Sequence, residues 1–150
     1  MRHLLLFLAI GCGGDTSGEP IAGTVTLMYG EDAPKLVVGA AVEQIDAPGR
    51  MLVQLGTDDV DCGTNFEDPD TRLSRGSFVF FDLDKAVATT SLRVSVLHVT
   101  SSSLHLNSAT GSVTIETIEP RVTGNVAFMT TDDDVGPIFV AGTFDVIRCF

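Results

Sequence analysis

The sequence predicts an all-β domain, most simply an antiparallel two-sheet β-sandwich of about eight strands, with a closed β-barrel as the alternative. Three observations point there. Val, Thr and Ile make up 40 of the 150 residues, and β-branched side chains fit the pleated strand better than the helix. From Ile21 onward, short apolar-rich runs are separated by clusters of Gly, Pro, Asp and Ser, as strands joined by turns require. Within several runs the side chains alternate in character with period two. A length of 150 residues suits one domain, and 44% apolar against 19% charged residues is enough for a packed core.

In order along the chain, residues 24–29 place Val25, Leu27 and Tyr29 on one face and Thr24, Thr26 and Met28 on the other. Glu31-Asp32-Ala33-Pro34 ends this strand. Residues 36–45 are apolar on both faces near Val37, Val38 and Ala40, which marks a central strand. Asp46-Ala47-Pro48-Gly49 reads as a tight turn into a hairpin partner at 51–55. A long polar segment, 56–76, precedes a strand at 77–83 that carries Phe78, Phe80 and Phe81. The one helical candidate is 84–91. Residues 92–100 alternate, 104–106 are a short strand or loop, and 112–118 form a strand broken by Glu119-Pro120. Val122, Gly124, Val126 and Phe128 line one face of the next strand. Asp132-Asp133-Asp134 and Gly136-Pro137 lead to the last, where Ile138, Val140, Gly142, Phe144 and Val146 share a face.

The formal charge of −11 argues against nucleic-acid partners, because binding a polyphosphate requires a basic surface. Residues 1–12 have a basic start, an apolar run from Leu4 to Ile10, then Gly11 and Cys12. That run is far short of the roughly 20 residues a spanning helix needs, so 1–11 read as a signal peptide. No other stretch is apolar enough to span.

Leu8-Ala9-Ile10-Gly11-Cys12 resembles the lipobox of bacterial lipoproteins. The resemblance implies cleavage before Cys12, a diacylglyceryl group on its thiol, and a membrane partner through that anchor. It also implies residence in the bacterial cell envelope, on a periplasmic or extracellular face. Residues 12–20 then form a flexible tether rich in Gly, and 21–150 form the single β-domain. With Cys12 assigned to lipid, Cys62 and Cys149 remain, and an even remainder in an oxidising compartment suggests a disulfide. Two separate buried thiols are the alternative. Cys149 has the opposite parity from the Ile138 to Val146 face, so a bridge would sit off that face and clamp the 56–76 loop to the sheet.

Residues that could carry chemistry are few. Asp58, Asp59, Asp61, Glu67, Asp68 and Asp70 crowd one loop. They read first as a solvated acidic loop, and second as oxygen ligands for Ca²⁺, although Gly63 falls where an EF-hand loop needs a third ligand. His98 shares parity with Val94 and Val96 and reads as a packed or strand-edge histidine; His105 points away from Leu104 and Leu106 into solvent. No nucleophile elbow, dinucleotide motif or zinc spacing occurs. The reading is a non-catalytic envelope lipoprotein whose binding or interaction surface lies on the loops 56–76 and 130–136, for a protein or small-molecule ligand. One alternative is a hydrolase using Asp/Glu with His98, which requires a carboxylate within hydrogen-bond reach of that ring. Another is a purely structural surface component.

Overall fold

The computed structural model describes residues 19–58, 60–63 and 75–149. Ten strands follow in order: β1 (Glu19–Pro20), β2 (Ala22–Gly23), β3 (Thr26–Tyr29), β4 (Val38–Glu43), β5 (Arg50–Gly56), β6 (Gly76–Asp84), β7 (Thr89–Val99), β8 (Leu104–Thr117), β9 (Arg121–Asp132) and β10 (Gly136–Cys149). The fold is all-β, and it takes the barrel form rather than the sandwich. Strands β4 through β10 each pair antiparallel with the next, and β10 then pairs with β4 at Ile147–Ala40, Arg148–Ala41 and Cys149–Val42.

That closing pair is parallel, a departure from the purely antiparallel expectation with a simple cause. In a meander of seven strands the first and last run the same way, so an odd count closes only through a parallel seam. The seam is short because β10 leaves β4 after three residues. β1 pairs with β4 at Glu19–Gly39, while β2 and β3 pair with β10 at Phe144–Gly23 and along Ile138–Tyr29 to Ala141–Thr26. The segment from Glu19 to Tyr29 therefore fills the split.

Two local expectations also give way. Residues 84–91 are not helical; a bend at 85–87 leads straight into β7. The two runs expected at 104–106 and 112–118 are one strand, β8, continuous through Gly111. A side chain at Gly111 would come within 2.9 Å of Val94 Cγ2 and 3.0 Å of the Ala127 carbonyl. Glycine there lets the barrel wall curve inward without breaking the ladder.

Alternation sends one set of side chains into the lumen, where they pack on one another. Met51, Val53, Leu55, Val79, Phe81, Val94, Val96, Val113, Ile115, Val126, Val140 and Phe144 all lie in one buried cluster. The Phe81 and Phe144 rings meet at 5.7 Å between centroids, inclined 59°, a favourable tilted geometry. At one end, Arg148 plugs the barrel with its side chain only 4% exposed. Its guanidinium donates to Glu119 and, at 3.4 Å, to Glu43. Lys85 Nζ reaches the same Glu43 oxygen at 2.9 Å. These two cations, Lys85 foremost through its hydrogen bond, hold the Glu43 carboxyl below the usual carboxylate range.

The outward-facing set is buried in one region. Ala40, Phe78, Leu97 and Cys149 pack with Val60 and Cys62, so part of the 56–76 segment lies over the outside of the barrel. A disulfide joins Cys62 to Cys149, with Cα atoms 5.5 Å apart. The bridge lies on the outer side, as the parity of Cys149 requires.

Candidate functional site

The described ends of the 56–76 and 130–136 loops lie at the end of the barrel opposite Arg148, and a run of hydrogen bonds with one ring stack connects them. Ser77, at the start of β6, and His98, near the end of β7, are directly paired. Ser77 Oγ lies 2.8 Å from His98 Nδ1. The imidazole stacks on the Tyr29 ring at 4.6 Å and 22°. Tyr29 Oη donates to Asn107 Oδ1 at 3.4 Å, and Asn107 Nδ2 donates to Asp132 Oδ2 at 2.6 Å. All five residues occupy lumen-facing positions where the apolar core ends, so together they cap the barrel mouth.

Electrostatics follow from this packing. Burial raises the Tyr29 hydroxyl above its ordinary pKa, and the nearby Asp132 charge adds to the effect. The Asp132 carboxyl is lowered, first by the Asn107 hydrogen bond and then by the backbone N–H groups of Asp134 and Val135. Those two N–H groups donate to Asp132 Oδ1 at 2.9 and 3.0 Å, an Asx arrangement that fixes the β9–β10 turn.

His98 is the residue on which the hydrolase alternative depends. Its Nδ1 faces a hydroxyl, and its ring face is covered by Tyr29. Ser77 is itself only 1% exposed and its backbone N–H donates to Thr57 Oγ1 at 3.0 Å. The hydroxyl that meets the imidazole is thus a buried one. His105 is exposed and lies directly across from His98 on β8.

Of the acidic loop, Asp58 and Asp61 are described, while Asp59, Glu67, Asp68 and Asp70 lie outside the described residues, as do Cys12 and the lipobox-like stretch. Asp61 Oδ1 accepts the Gly63 N–H at 2.7 Å. Among the described residues no group of three or more His, Cys, Asp or Glu side chains is placed to hold a metal ion. Among them, too, no helix is long and apolar enough to cross a membrane.

Sequence reading missed the Tyr29–Asn107–Asp132 chain. The signal was parity: Tyr29 shares a face with Leu27, and Asp132 with Val126 and Phe128, but Asn107 could not be aligned while β8 was read as two pieces. Comparison with protein families, with curated proteins and with solved structures finds no match for this chain.

Proposed function

We propose that the chain is a non-catalytic, lipid-anchored protein of the bacterial cell envelope, in which the barrel serves as a rigid binding or interaction module. Cys12 carries the anchor, the residues between it and β1 act as the spacer, with Glu19 and Pro20, expected in the tether, instead paired to β4, and recognition takes place on the outside of the barrel and its loop-bearing end. The observation that carries the reading is the pairing of Cys62 with Cys149. It leaves Cys12, the cysteine of the lipobox-like stretch, outside the bridge, and such bridges persist where the surroundings are oxidising.

The packed lumen supports the second half of the reading. A barrel that stores a small ligand needs an interior void, and here Phe81, Phe144 and their neighbours occupy that space. What the molecule offers a partner is therefore its surface, held stiff by seven strands in a closed ladder.

Growth of the native host with a labelled fatty acid tests the anchor. Label should enter the wild-type protein in the membrane fraction and be absent from Cys12→Ser. An unlabelled, full-length wild-type chain with residues 1–11 still attached would overturn it. Crosslinking in intact cells tests the module: a stoichiometric partner is expected, and recovery of the uncrosslinked chain alone would favour the purely structural component.

A further inference from the structure

Among the described residues, the outer wall carries an apolar region that the protein covers itself, under Val60 and Cys62, bordered on β8 by the exposed Leu104 and Leu106. A separate apolar row lies on β3, β9 and β10, where Phe139 pairs with Met28 on one side and Met129 on the other. Adjacent strands are about 4.8 Å apart, so the three side chains form one continuous row. They are 45% (Met28), 37% (Phe139) and 66% (Met129) exposed. The next row is Thr26, Ala141 and Ala127, again without a charge. Exposed sheet surface is ordinarily polar, and a contiguous apolar patch on it marks an interaction surface.

The patch ends at a concentration of negative charge. The turn after β3 and the β9–β10 turn touch: Gly30 N–H donates to the Pro137 carbonyl at 2.9 Å. A Cβ on Gly30, whose φ is +64°, would fall 2.5 Å from the Val135 carbonyl oxygen. This contact brings Glu31 and Asp32 beside Asp133 and Asp134, all four exposed. Lys35 is an exposed base in the connection between β3 and β4.

We propose that this face docks an extended, basic, amphipathic segment of a partner protein. The inference rests on the interaction-module reading and names the partner chemistry. Alternate apolar side chains of the segment would lie on Met28, Phe139 and Met129, where the unbranched thioethers of the two methionines adapt to varied shapes. Its Lys or Arg residues would meet Glu31, Asp32, Asp133 and Asp134. Charge selects this occupant over two others. A second copy would bring another −11 and the same acidic turns against the first, and an anionic lipid surface would be repelled likewise. The covered outer face sets the precedent within the molecule, since the segment bearing Val60 and Cys62 lies across it.

The methionines supply the test. In the full-length Cys12→Ser chain labelled with ¹³C at the methionine methyls, Met28 and Met129 report on the face. Met51, at 1% exposure, reports on the core. The probe is an alternating Leu–Lys peptide of about ten residues, long enough to cross three strands. It should shift the Met28 and Met129 signals saturably and leave Met51 in place. An alternating Leu–Glu peptide should bind at least tenfold more weakly. Asp133→Asn with Asp134→Asn should weaken the Leu–Lys peptide several-fold and flatten its salt dependence, and Phe139→Ser should abolish the shifts with Met51 unmoved.

Several outcomes would overturn the proposal. They are unmoved Met28 and Met129 signals, equal response to both peptides, concentration-dependent shifts without peptide that reveal self-association, or a response to phosphatidylglycerol vesicles in place of the peptide. Because this chain carries no lipid, failure here is distinct from failure of the anchor. A recovered envelope partner with unmoved methionines would refute this face and leave the module reading standing.

Discussion

Replacing both Cys62 and Cys149 with alanine removes the crosslink without adding a buried hydroxyl. Serine would leave that hydroxyl in the outer cluster of Val60, Phe78 and Leu97. In the unfolded chain the bridge closes a loop of 87 residues, which the chain-entropy relation converts to about 4.6 kcal/mol at 25 °C. Against a typical domain stability of roughly 5–15 kcal/mol, the reduced protein would be close to marginal. Urea unfolding followed by far-ultraviolet circular dichroism gives the free energy. Oxidised wild type should exceed both the double variant and reductant-treated wild type by about 3–5 kcal/mol. The steepness should rise in the double variant, because an uncrosslinked unfolded chain expands and exposes more surface. Hydrogen exchange adds a local readout: the amide of Thr57, bonded to the Ser77 carbonyl, should lose protection ahead of the β9–β10 ladder. A double variant within about 1 kcal/mol of oxidised wild type would refute the loop-closure argument.

Phe144→Ala empties the centre of the lumen against Phe81 and should lower stability by roughly 3–5 kcal/mol, whereas Phe139→Ala on the outer face loses its cross-strand contacts with Met28 and Met129 and should cost about 1 kcal/mol. Paired thermal melts that fail to separate the two would contradict the inside-outside assignment. Gly142, at φ +124° with the Thr24 carbonyl 2.6 Å from a built Cβ, should not accept alanine; a loss above about 1 kcal/mol is expected, and an unchanged melt would show that β2 and β3 do not hold the seam as described. Asp132 has its pKa depressed in the folded state, so the stability it adds is present above the ordinary value of 3.8 and is lost as pH falls through the lowered one. The melting gap between wild type and Asp132→Asn should therefore be full at neutral pH and close in strong acid; a gap independent of pH would assign the effect to something other than the carboxylate.

Much of the barrel was legible because period-two patterning survives in single strands. Val25, Leu27 and Tyr29 on one face, and Ile138 through Val146 on another, follow directly from alternation, and the parity of Cys149 put the bridge on the outer side. Closure was not legible, because it depends on a three-residue parallel pairing between Val42 and Cys149 regions that are more than a hundred residues apart. Alternation says which way a side chain points and is silent on which strand lies alongside. The length of β8 was obscured by Gly111, which local reading treats as an interruption. In the folded wall it stands where a side chain would collide with Val94 or with the Ala127 carbonyl. The polar mouth was invisible for the same reason: His98, Tyr29 and Asn107 meet only when β3, β7 and β8 close round one lumen.

Barrel and sandwich differ in what they leave available for recognition. A two-sheet sandwich leaves four sheet edges, where a partner could add a strand; here the ladder runs from β4 round to β10 and back, and β1 to β3 pair against β4 and β10 at the split, so few edges are left. The lumen is packed with Phe81 and Phe144, one end is held by Arg148 between Glu43 and Glu119, and the other by the Ser77–His98 and Tyr29–Asn107–Asp132 contacts. Binding at the interior would have to displace a core whose large-to-small substitutions cost several kcal/mol each. What remains is the outer wall, where only side chains can make the contact. On that wall the apolar row of Met28, Phe139 and Met129, ending at the acidic turns, offers a partner both buried area and a charge that selects for its opposite.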